Sequence, residues 1–197
     1  MLEIGANNGV DSLRLYDTIP EATLHCFEPD PRAFATLRRN TRRSPIAIHQ
    51  LAIGNHDGTT TFHQSGGQPP DAATDRSWDK SGSIRAPKLH LEQHPWCTFD
   101  TTITVPIARL DTWAHDHDIT TVDFIWADVQ GAEIDLIEGG TTTLAHTRYF
   151  YTEYSERELY EGQVGLSELL ALLPGWDVHT VYPDDVLLVN RAFTTGH

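Results

Sequence analysis

The sequence predicts an open α/β fold organised around a nucleotide-binding crevice, and three observations carry the prediction. First, Met1-Leu2-Glu3-Ile4 reads as a short apolar strand running into a glycine-bounded turn, Gly5-Ala6-Asn7-Asn8-Gly9, and then a helix from Val10 to about Tyr16. Second, about 20 residues later, the usual spacing in such folds, Leu24-His25-Cys26-Phe27-Glu28-Pro29 gives a strand that stops at an acid. Third, the apolar run Val122–Ala127 ends at Asp128, and a new helix starts near Ala132. Carboxyl ends of parallel strands face the ligand crevice, so Asp128 points at whatever the first turn binds.

The opening turn narrows the ligand. Gly5 and Gly9 let the backbone come close where a Cβ would collide. Glu28 can accept both hydroxyls of a ribose. Dinucleotide folds use G-x-G-x-x-G, which seats a pyrophosphate on the helix N-terminus. Here Asn7 replaces the middle glycine and Val10 holds the sixth position, and Glu3 repels phosphate. Glu3 suits a cofactor with a positive charge and an amino group. S-adenosylmethionine has both, and a nicotinamide-dependent dehydrogenase is the alternative.

Length and charge set the outer limits. A chain of 197 residues suits one domain, 1–197, with a proper core. No run approaches the roughly 18 apolar residues of a membrane span, and no signal peptide is evident. The formal charge of −14 argues against a nucleic-acid partner. Cys26 and Cys97, the only cysteines, are expected as free thiols in a reducing cytoplasm. A first strand that opens at Met1 is expected to leave an edge for another segment or a second subunit to cover.

The rest follows in order. Pro31–Asn40 is a helix capped by Asp30, with Arg38-Arg39 and Arg42-Arg43 at its C-terminal end as a solvated terminus. Ile46–Ile53 is expected as one buried strand, Asn55–Gly58 as a turn, and Thr59–His63 as its hairpin partner. From Gln64 to about Thr98 periodicity vanishes, so 64–100 is expected as a lid or substrate loop. His90 and His94 are four apart, but a solvated face is expected there rather than a metal site. Thr102–Ile107 is a strand, with Pro106 marking an edge or a strand end. Arg109–Trp113 opens a short helix, and His115–Asp118 is its polar end. Glu133, in a first helical turn, can bond free backbone amides. Arg148–Tyr154 is a strand with Glu153 at its end, followed by a polar loop, 155–163. Leu166–Leu173 is a helix, and Trp176–Val181 and Val186–Arg191 pair antiparallel, because Pro183-Asp184-Asp185 is too short for a crossover.

Taken jointly, Glu3-Ile4-Gly5-Ala6-Asn7-Asn8-Gly9, Phe27-Glu28-Pro29-Asp30-Pro31, Asn40, Leu51-Ala52-Ile53-Gly54, Leu110-Asp111, Asp128-Val129-Gln130-Gly131-Ala132-Glu133 and Glu153 resemble the FkbM family of S-adenosylmethionine-dependent methyltransferases. The resemblance implies a class I methyltransferase fold: a Rossmann-like three-layer sandwich whose mostly parallel seven-stranded sheet ends in an antiparallel hairpin. It implies O-methylation of sugars or natural-product intermediates. The chain departs from the family pattern at Trp126, where a Lys is usual, at Gln130, where a Glu is usual, and in lacking an N-terminal flank. These departures motivate a second alternative, a non-catalytic binding module on the same fold.

On this resemblance Gly5, Ala6, Asn7 and Gly9 cradle the methionine part of the cofactor and Glu3 favours its positive end. Glu28 and Pro29 hold the ribose, and Ala52 and Ile53 flank the adenine. Ser81 and Ser83 close over it. Asp128, also at the cofactor, and Glu153 end adjacent strands. One of them orients the acceptor hydroxyl or takes its proton. The pair would also suit Mg²⁺, but no metal is assigned. His90, His94 and His179 are reserve bases.

Overall fold

The computed structural model describes residues 1–70 and 77–194; residues 71–76 of the expected lid lie outside that description. The large sheet begins with β1 (Leu2–Ile4), β2 (His25–Phe27) and β3 (Ala47–His49), separated by α1 (Val10–Thr18) and α2 (Pro31–Thr41). It is completed by β7 (Val122–Ala127), β8 (Thr147–Glu153), β9 (Trp176–Val181) and β10 (Asp185–Asn190). Its seven strands lie in the order β3-β2-β1-β7-β8-β10-β9. The first five are parallel, and β10 runs antiparallel to both β8 and β9. The mostly parallel sheet with its antiparallel C-terminal hairpin is the architecture that the sequence predicts.

Strand order reverses between β1 and β7, and such a switch point opens a crevice at the strands' carboxyl ends. β1 is flanked by β2 on one side and β7 on the other, so the open edge expected beside it is absent. Alternation along the strands supplies two apolar faces. Leu24 and Cys26 pack with Leu37 of α2 and Leu13 of α1. Leu2, Ile4, Phe27 and Ile125 pack on the opposite face. Their partners there come from α4 (Leu110–Asp116), α5 (Glu133–Gly139), α6 (Thr141–Ala145) and α7 (Leu166–Ala171). Each such fully buried side chain contributes about 1.5–3 kcal/mol.

A second sheet lies outside what the sequence predicts. It has three strands in the order β4-β6-β5: β4 (Ala52–Gly54), β5 (Gly58–Gly67) and β6 (Cys97–Arg109). The single strand expected over Ile46–Ile53 is therefore two. β3 stays beside β2, Gln50 and Leu51 turn the chain, and β4 runs parallel to β6. β5 pairs with β6 rather than with the strand before it. Pro106 marks neither an edge nor a strand end: it lies inside β6, the central strand, opposite Thr59 of β5 and one residue before β4 begins to pair. The irregular stretch is shorter than expected, because β5 extends to Gly67, β6 begins at Cys97 and α3 (His90–Gln93) forms between them.

Candidate functional site

The loops after β1, β2 and β7 converge with Leu51 and the start of β4 on one cavity of about 340 Å³. Gly5 makes the convergence possible. Its φ is +93°, and a Cβ there would come within 1.8 Å of the Asp128 carbonyl oxygen. Only glycine lets these two loop backbones meet, and the Asp128 N–H donates to the Ile4 carbonyl at 2.9 Å. Gly9 departs from the expected role. It does not border the cavity; its φ is +78° and a Cβ would press on Leu37 of α2. It serves helix packing, not ligand approach.

The carboxylates expected at the cofactor lie in this cavity. Glu28 lines it, 5% exposed, and accepts from the Asn7 N–H at 2.8 Å and the Asp30 N–H at 2.7 Å. Burial pushes its pKa up to about 8. Glu3 is buried, accepts from the Ser12 hydroxyl and from the Cys26 thiol at 3.1 Å, and burial raises it to about 7. Asp11, Asp79 and Asp128 add acid to the lining, against the bases Arg14 and Lys80. An acid-rich wall favours a cation and disfavours a pyrophosphate.

Ala6, Asn7, Pro29, Ala52, Ile53 and Ser83 also border the cavity, with Phe62 opposite. Asn7 is the informative one. Its φ is +45°, its Nδ2 donates to the Asp79 carbonyl at 2.8 Å, and its Oδ1 is buried with no partner. An orphaned acceptor in a cavity wall calls for a donor from a ligand. With Glu28 ready for a diol and apolar side chains nearby, the wall fits an adenosyl group carrying an amino acid.

Ser81 is a correction. It does not border the cavity; its hydroxyl accepts from Trp78 Nε1 at 2.8 Å and its N–H donates to Ser65 Oγ at 3.1 Å. The roof is instead Asp79, Lys80, Gly82, Ser83 and Ile84, which sequence reasoning left inside an undivided loop. The reserve bases are not at the site either. His90 and His94 lie against each other with their rings tilted by 51°, away from the cavity lining, and His179 is exposed with its ring against Thr180. Among the described residues no group of three His, Cys, Asp or Glu could hold a metal ion.

Asp128 borders the cavity and Glu153 stands behind it. Gln130 Nε2 donates to Asp128 Oδ1 at 2.6 Å and to Glu153 Oε2 at 3.1 Å. Both carboxyls are raised. For Asp128 the chief cause is burial, despite the surface it presents to the open cavity. For Glu153 burial leads and the Asp128 charge follows. Glu133 is buried and accepts from the Gly131 N–H at 3.3 Å, which places it at the loop backbone as expected.

The family model described as "Methyltransferase FkbM domain" matches residues 3–180. The chain is 46% identical over 195 residues to the 2-O-methyltransferase NoeI of Sinorhizobium fredii, covering 96% of this chain and 79% of that one. It is 25% identical over 202 residues to the 31-O-demethyl-FK506 methyltransferase FkbM of Streptomyces tacrolimicus, covering 96% and 76%. A chain of a solved fibrillarin/Nop5p complex is similar over 96% of this chain and 70% of its own length, at 13% identity and a TM-score of 0.49. The fold assignment rests on strand order and on the family match, not on that likeness. The chain belongs to the FkbM methyltransferase family.

Proposed function

We propose that this methyltransferase uses S-adenosylmethionine to methylate a hydroxyl group of a small molecule, a sugar or a natural-product intermediate. The observation that carries the reading is the convergence of Glu3, Glu28 and Asp128, from three separate strand ends, on one acid-rich cavity with an orphaned acceptor at Asn7. Both relatives whose names specify the methylated atom name an oxygen position. The net charge of −14 disfavours a nucleic-acid partner, and among the described residues no helix is long and apolar enough to cross a membrane. Two buried free thiols, Cys26 and Cys97, favour a reducing compartment such as the cytoplasm.

When bound, the cofactor supplies a methyl group already activated on a sulfonium, so the protein's task is alignment and proton removal. Gly5, Ala6 and Asn7 would hold the amino-acid end, and Glu3 would favour its positive charge. Gly9 contributes only through packing. Glu28 and Pro29 receive the ribose; Ala52, Ile53 and Phe62 enclose the base, and Ser83 closes the roof. Asp128, at the cavity wall, would orient the acceptor hydroxyl and take its proton. Glu153 backs it by sharing charge.

The test is turnover of S-adenosylmethionine to S-adenosylhomocysteine with a panel of hydroxylated sugars and polyketides. Asp128→Asn should lower turnover about 10²-fold or more, the usual yield of a positioned base, with cofactor affinity within threefold of the parent. Weakened affinity with unchanged turnover would move Asp128 to the cofactor's side of the reaction.

A further inference from the structure

Gln130 and Tyr160 form a unit that the proposed proton transfer does not yet use. Gln130 has φ +54°, a left-handed conformation that a non-glycine residue keeps only when its surroundings hold it. Its single amide spans both acids, with Nε2 on Asp128 Oδ1 and on Glu153 Oε2. The opposite end of the amide is fixed as well, because Gln130 Oε1 accepts from the Tyr160 hydroxyl at 2.9 Å. A reversed amide would set its oxygen against two carboxyls and its NH₂ against the tyrosine, so this orientation is the one the partners select.

Tyr160 is 1% exposed, and its ring lies so close to Gly131 that a Cβ there would stand 2.6 Å from the tyrosine Cβ. Its hydroxyl also lies 2.8 Å from the Ser81 carbonyl, in the segment that continues into the cavity roof. One phenolic proton therefore serves two acceptors, one on the roof segment and one on the amide that holds the acids.

We propose that Gln130 is the positioning residue of the Asp128–Glu153 pair, and that Tyr160 locks the Gln130 amide so that its donors face both carboxyls. This deepens the methyltransferase reading and rests on it. The amide takes the place of a third acid. Asp11 of α1, Glu133 of α5, Asp184 of the β9–β10 turn and Asp185 at the start of β10 already set negative charge around the pair. Another carboxylate at position 130 would hold one more proton among them, whereas an amide donates without charge. The amide thus favours the charged form of Asp128, against the burial that raises it.

The experiment is a pH titration, from 5 to 11, of the protein carrying ¹³C-carboxyl Asp and Glu. It compares the parent with Gln130→Leu, Gln130→Glu and Tyr160→Phe, and takes its assignments from Asp128→Asn and Glu153→Gln. Loss of the amide donors in Gln130→Leu should move the upper titration step of the pair upward by about one pH unit, the effect of losing a charge-assisted hydrogen bond. Tyr160→Phe, which removes a single oxygen, should move it the same way by less, and it carries the test if the leucine variant fails to fold. Gln130→Glu should add a third coupled carboxyl and move the step further. Titration curves in Gln130→Leu and Tyr160→Phe that superimpose on the parent's would overturn the proposal, even if both variants melt earlier. Calorimetric binding of S-adenosylhomocysteine, run in parallel, separates the two readings. Its absence in the parent defeats the cofactor assignment and leaves the titration result standing.

Discussion

Replacing Glu28 by Gln offers a test whose size follows from the geometry of the free site. The Glu28 carboxyl receives two backbone N–H groups, at 2.8 and 2.7 Å, and its pKa is about 8 because it is buried. At pH 7 it is therefore ionised in only about one molecule in ten, and presenting a carboxylate to a ribose diol costs about 1.4 kcal/mol, or about tenfold in affinity. That cost vanishes by about pH 9. Affinity of the parent for S-adenosylhomocysteine should accordingly rise about tenfold from pH 7 to 9, with a proton released on binding. Glu3, at about 7, adds to the release at lower pH. The glutamine keeps the shape, but it offers one acceptor where two N–H groups need one each, a loss of about 1.5–3 kcal/mol. It has no ionisation to undo. The ratio of variant to parent dissociation constants should thus be small at pH 6 and reach about 10²-fold at pH 9. Calorimetry in buffers of different ionisation enthalpy measures both the ratio and the proton count, and the ratio cancels titration of the ligand itself. A ratio that stays constant across pH 6–9 would refute the ribose assignment.

Three further expectations concern stability and packing. Gly131→Ala, at φ +89° and pressed against Tyr160, should destabilise the fold by roughly 1–3 kcal/mol in a urea titration and lower turnover by displacing the tyrosine. The rings of His25, His49, Trp113 and His117 stack together beside β3, and burial, with His25 next, holds His49 at about 4. The unfolded imidazole binds its proton near 6.5, so the neutral folded form contributes stability that is present above pH 6.5 and lost as pH falls toward 4. His49→Phe should flatten that part of the urea-midpoint profile, and an unchanged slope would count against the assignment. Asp111→Ala removes the acceptor of the Thr142 and Thr143 N–H groups at the start of α6, and should cost about 1 kcal/mol by thermal melting.

Much of the large sheet was legible because its signals are local. Val122–Ala127 is a six-residue apolar run that stops at an acid, and the structure keeps those bounds. The α2 start was written in Asp30-Pro31, and Asp30 does accept from the Arg32 N–H. The small sheet was not legible. β5 and β6 carry alternation diluted by threonine and histidine, and their pairing partner lies across an irregular segment that no local pattern bridges. Positions 50–51, where the chain leaves one sheet for the other, read as the interior of the single strand expected over Ile46–Ile53, because apolar residues flank them on both sides. At the site, residues carried by strand ends were recoverable from strand logic: Glu3, Glu28, Asp128. Those contributed by tertiary approach were not. Nothing near Tyr160 marks it as a partner of Gln130, and Gly9 resembles a ligand-contacting glycine until Leu37 is seen against it.

The helix α5 has a consequence for how reach is set within this enzyme. Its first turn follows directly from the loop bearing Asp128 and Gln130. Its last residue, Gly139, would with a Cβ come within 1.8 Å of the Gly54 carbonyl oxygen at the end of the strand that carries Ala52 and Ile53. Seven residues at about 1.5 Å each make a rigid spacer of about 10 Å between the Asp128–Gln130 loop and the end of β4. On the proposed reading, that spacer fixes the offset between the adenine-flanking strand and the carboxyl pair. Lengthening α5 by one residue would misalign the two ends while leaving every contact within each of them intact.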